Sequence, residues 1–186
     1  MRAWLALSVL LITAASTPTH RYRLDEAGSK VTARVAFMGL ASKTVTFPKM
    51  SGSIALSPER LNAIDLDVTL DARALTAGDS VTQGRLRGEK FFDVERYSTV
   101  SFSGHRMAMT GPVTATVWGD ITARGVTRPS VLSVTFSLPP AHATGREPLG
   151  LTAQTTIDRR AFAMTAYRMI VGRNVTITID ARMVPD

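Results

Sequence analysis

From Ile64 to Asp71 the chain reads IDLDVTLD. Ile64, Leu66, Val68 and Leu70 fall on one side, and Asp65, Asp67, Thr69 and Asp71 on the other. Such period-two alternation predicts an extended strand with one buried face. The same pattern returns at Val31–Phe37, Val45–Phe47, Val100–Phe102, Val113–Ala123, Leu132–Leu138, Leu151–Ile157 and Val175–Met183. These runs make about eight strands, with no long helix between them, the signature of an antiparallel barrel or sandwich. Gly119-Asp120 predicts a bulge or bend in its run. Ala123–Ser130 reads as a hairpin connection, with Gly125 in the turn and Pro129 outside the ladder. Pro139–Gly150 reads as a longer polar loop.

One segment breaks the alternation. From Asp79 to Val94 the chain reads DSVTQGRLRGEKFFDV. Asp79 or Ser80 is placed to cap a short helix through Leu86, weakened by Gly84 and Gly88. Two phenylalanines, Phe91 and Phe92, then stand between Lys90 and Asp93. At the other end of the chain, Arg2 precedes an apolar run from Ala3 to Ala15, followed by small residues. That run is shorter than the roughly 20 residues a membrane span needs, and it predicts a cleavable secretory leader over residues 1–16. Residues 17–186 are then expected to form one domain.

Composition narrows the chemistry. The chain has 186 residues, a formal net charge of +7 and no cysteine. A basic surface favours phosphate-bearing partners. The absence of cysteine excludes disulfides, thiolate metal sites and a cysteine nucleophile. The three histidines, His20, His105 and His142, share no metal-ligand spacing and have no aspartate three residues before them. Gly78-Asp79-Ser80 therefore reads as a helix cap, not as an esterase motif. No phosphate-binding glycine loop is present. Basic residues are scattered without an aromatic-interleaved stripe, which argues against nucleic acid.

Two longer motifs carry a resemblance. Leu86-Arg87-Gly88, Phe91-Phe92-Asp93 and Arg96-Tyr97-Ser98, followed by the Thr99–Ser103 strand, resemble a signature of the YceI-like family. Ser98 stands where that family often has proline. Gly119-Asp120-Ile121-Thr122 with Arg124-Gly125-Val126-Thr127-Arg128-Pro129 resembles its G-D-L-T hairpin. Tyr22–Phe37, Gly52–Asp71 and Ile157–Phe162 extend the match over most of Tyr22–Val184. The resemblance implies an all-β fold, an extended lipocalin-like antiparallel barrel with one short helical crossover. It also implies a periplasmic or secreted protein that holds a polyisoprenoid, a quinone or another amphiphilic lipid. No other cofactor, metal or catalytic residue is expected.

On that reading Val35, Phe37, Phe47, Phe102, Val117 and Phe136 face the ligand from the barrel walls. Phe91, Phe92, Phe162, Met164 and Met169 line or close the mouth, and Arg87 or Lys90 meets a polar or phosphorylated head. Leu86–Asp93 is then either a lid or a plug of core side chains. Transport or storage, with a link to stress, is the expected role, with transient contact at a membrane surface. A filled structural barrel and a lipid-modifying enzyme are the alternatives, and monomer and dimer remain open.

Overall fold

The computed structural model describes residues 18–186, so the expected leader lies outside the described residues. The chain runs through β1 (His20–Leu24), β2 (Lys30–Phe37), β3 (Ala41–Phe47), β4 (Met50–Leu56), β5 (Ala63–Asp71) and β6 (Thr76–Ala77). The one α-helix among the described residues, α1 (Ser80–Arg87), follows. Then come β7 (Thr99–Met109), β8 (Thr114–Ala123), β9 (Val126–Phe136), β10 (Leu149–Asp158) and β11 (Val171–Pro185).

Eight strands close an antiparallel barrel in the order β1-β4-β5-β7-β8-β9-β10-β11, with β11 returning to β1. Closure depends on the length of β11. Its C-terminal residues Met183–Pro185 pair with β1, while Val171–Asp180 pair with β2 on the same edge. β2, β3 and β6 therefore splay from one end of the barrel as a flap, and that end is its mouth. Tyr22, Leu56, Met107 and Met183 are fully buried in the main core.

The predicted barrel is present, and its local signals explain much of it. Asp79 caps α1, accepting from the Thr82 backbone N–H at 2.7 Å. The β8–β9 turn is Arg124-Gly125, with φ of 51° and 69°. Two successive left-handed residues give the turn twist that hairpins favour. A Cβ on Gly125 would also stand 2.6 Å from the Tyr97 ring.

Several expectations need correcting. Alternation alone does not single out β1, β4 and β6 as separate strands. β1 has five residues and β6 only two, too few to establish a period. β8 passes through Gly119 unbroken, and the irregularity lies opposite it, in β7 between Gly104 and Arg106. Gly119 is small for another reason: a Cβ there would meet the Ser103 carbonyl at 2.2 Å and Phe102 at 2.6 Å. Pro129 sits inside β9, in register with Asp120. It is tolerated because β9 and β10 pair only from Phe136↔Leu151 to Ser133↔Gln154. Beyond that point β9 has an open edge, the setting in which a strand accepts proline.

Candidate ligand-binding site

Alternation on eight strands leaves the inward positions mostly apolar, and the barrel encloses a cavity of ≈ 110 Å³. Ile54, Leu66, Val68, Phe102, Val117 and Phe136 are among its walls. Its polar members are Ser101, Thr155 and Asp180, and it contains no histidine. An engineered cavity of roughly 150 Å³ admits benzene, so this space fits a thin segment of chain and not a bulky group.

A second space of ≈ 300 Å³ opens at the mouth. The flap forms one wall through Ala33, Val35, Phe37 and Val45. The α1 segment forms the other through Val81, Leu86, Phe91 and Phe92, and Met164, Tyr167 and Ile170 close the side. The same faces continue into the barrel. On β2, Val31 lines the inner cavity while Ala33 and Val35 line the cleft; on β11, Ile177 and Val175 divide in the same way. Phe92 lines the cleft, packs against both apolar clusters and meets Phe47 edge-on at 5.8 Å.

The expected site residues are distributed unevenly. Phe102, Val117 and Phe136 line the inner cavity; Val35, Phe37, Phe91, Phe92 and Met164 line the cleft. Phe47 is buried behind Phe92, and Phe162 packs with Ile121 and Ala123 in a second cluster. Arg87 turns into the protein, donating to the Leu75 carbonyl at 3.0 Å, so it does not reach the cleft. Lys90 is exposed with its ammonium 5.8 Å from the Tyr167 ring centre. Met169 is exposed and lies outside the cleft walls.

Sequence reasoning missed the cationic side of the cleft. Lys43, Arg85 and Arg159 line it, opposed by Asp79. Arg159 is buried and donates to the carbonyls of Gly172 (2.8 Å), Val171 (2.9 Å) and Met164 (2.5 Å). It makes no carboxylate pair among the described residues, because neighbouring Asp158 is taken by Arg160 and Arg173. Burial pushes its guanidinium below the ordinary value. The Thr82 amide and hydroxyl, then the Lys43 ammonium 3.1 Å away, hold Asp79 down to about 2. Arg159 also lies 6.0 Å from the Phe91 ring, and Phe91 stacks on Tyr167 at 5.9 Å. Arg159 falls within the Ile157–Phe162 match, but its role is not legible there, since the three carbonyls that hold it lie on the following loop and strand.

Among the described residues no group of three or more metal-ligating side chains converges. No described helix is long and apolar enough to cross a membrane. The arrangement provides an apolar path that begins at a cationic mouth.

Residues 22–183 match the YceI-like domain family. A UPF0312 protein of Pseudomonas putida is 27% identical over 87% of this chain and 85% of its own. The structure of Burkholderia cenocepacia BcnA is similar at TM-score 0.76 and 22% identity, covering 86% of this chain and 98% of that one. A polyisoprenoid binding domain from Saccharophagus degradans, implicated in plant cell wall breakdown, matches at TM-score 0.67 and 14% identity. It covers 89% of this chain and 98% of that one.

Proposed function

The chain belongs to the YceI-like family, and from that premise we propose that it is a periplasmic or secreted carrier of an isoprenoid or similar amphiphilic lipid. The observation that carries this reading is the continuous apolar face of β2 and β11, which runs from the mouth cleft into the inner cavity. A tail lying along it gains about 0.8 kcal/mol for each buried CH₂. The cations at the mouth, Lys43 and Arg85 with buried Arg159 behind them, place positive charge where a polar or phosphorylated head would lie. The polyisoprenoid binding description of the Saccharophagus domain supports an isoprenoid as the tail. The Arg2-led apolar run at the N-terminus supports export. Carriage or storage fits a site that offers burial for a tail and a contact for a head. Contact with a membrane surface completes the cycle of loading and release.

A second reading, a filled structural barrel, draws on the small interior of ≈ 110 Å³. Solvent extraction of the protein purified from its own host, followed by mass spectrometry, decides between them. One dominant polyprenyl or quinone species near one-to-one stoichiometry is expected. A clean extract from folded protein, with no uptake of added lipid, would select the filled barrel.

A further inference from the structure

The cleft ends at two adjacent turns. The β2–β3 tip, Met38-Gly39-Leu40, carries Met38 at 65% and Leu40 at 101% exposure. The turn before β11 carries Met169 at 95%, with Ile170 and Tyr167 partly exposed beside it. The Met38 N–H donates to the Ile170 carbonyl at 2.7 Å, so the two turns form one rim. Four large aliphatic or thioether side chains thus project into solvent from one edge of the cleft. Clustered exposure of this kind marks an interaction site, unlike the single exposed residues common on any surface.

The charges around the rim give its partner. Lys43, Arg85, Lys90 and Arg168 stand near it, against Asp79 and Glu89. Arg85 and Lys90 both approach the Tyr167 ring, at 6.0 and 5.8 Å. Apolar tips, an aromatic residue behind them and a cationic collar match the layers of an anionic bilayer surface, in which tips enter the acyl boundary and cations meet phosphates. Two narrow turns also offer little of the roughly 800 Å² per partner that a stable protein interface buries.

We propose that this rim docks on an anionic phospholipid bilayer and seats the cleft mouth against the membrane. Its part in lipid exchange rests on the carrier reading above; the docking itself does not. The test is co-sedimentation of the purified protein with vesicles of phosphatidylglycerol and phosphatidylethanolamine, with phosphatidylcholine vesicles alongside. Binding is expected to the anionic vesicles only and to weaken as salt rises. Leu40→Ser with Met169→Ser should weaken it roughly tenfold or more, and Arg168→Glu about fivefold or more. Both variants should keep the wild-type thermal transition, since the altered side chains are exposed.

Absence of anionic-vesicle binding, or binding unchanged by the tip substitutions, would overturn the proposal. So would a concentration-dependent dimer, seen in sedimentation velocity without vesicles and lost in the tip variant, because the rim would then join two copies of the chain. A lipid-free host extract with vesicle binding intact would remove the carrier reading and leave the docking surface standing.

Discussion

Ser130 Oγ and Thr155 Oγ1 lie 3.2 Å apart, both residues buried, across the split where β9 and β10 no longer pair. Thr155 also lines the inner cavity, so this pair ties the barrel wall where backbone bonds do not. Removing one partner leaves a buried hydroxyl unsatisfied, whereas replacing both does not. Thr155→Val should therefore cost about 1–2 kcal/mol, and Ser130→Ala with Thr155→Val less than the two single changes combined. Urea unfolding of the four proteins measures the coupling. Strict additivity would mean that the two hydroxyls do not hold each other.

Ala153 lines the inner cavity and is buried. Ala153→Leu fills part of the ≈ 110 Å³ and should displace the tail while costing roughly 1–3 kcal/mol or less through overpacking. Lipid per protein in the extract should fall well below that of the wild type, with the protein still folded by circular dichroism. Undiminished lipid content would place the whole ligand in the mouth cleft.

Asp79 has a folded pKa of about 2 against an ordinary 3.8. A carboxylate depressed on folding stabilises the folded state fully above its unfolded value, and that stabilisation is lost as pH falls through the folded one. The α1 wall of the cleft should thus hold above about pH 4 and loosen towards pH 2. Amide chemical shifts of Val81 and Thr82 should titrate with a midpoint near 2. A midpoint near 3.8 would show that the cap and the Lys43 pair are not formed in solution.

Arg159 tethers the loop that carries Tyr167 through its three carbonyl acceptors. Arg159→Met should cost about 2–4 kcal/mol and speed amide exchange across residues 163–171. Arg159→Lys should recover only part of the loss, because an ammonium cannot reproduce the guanidinium fork. Stability within about 0.5 kcal/mol of wild type for the methionine variant would rule out the tether.

The local rules of the chain were legible in its residues. Ile64, Leu66, Val68 and Leu70 announce their strand because side-chain direction alternates between neighbours in any extended chain. Asp79 announces its helix, and Arg124-Gly125 its turn, because caps and tight turns are satisfied within a few residues. The motifs at Leu86–Asp93 and Gly119–Pro129 brought the family with them, and with it the barrel.

Long-range geometry decided the remainder. Whether eight strands close was settled by β11, which reaches β2 with one half and β1 with the other. Two basic residues in similar local settings met opposite fates. Arg87 turned inward to Leu75, 12 positions away, and Lys90 stayed in solvent. Met164 and Met169, five residues apart, went respectively into the cleft wall and onto its exposed rim. Periodicity fixes which way a strand residue points, but the fate of a loop cation or methionine depends on which distant carbonyls and rings the closed sheet brings to it, and that information is absent from any local stretch of the chain.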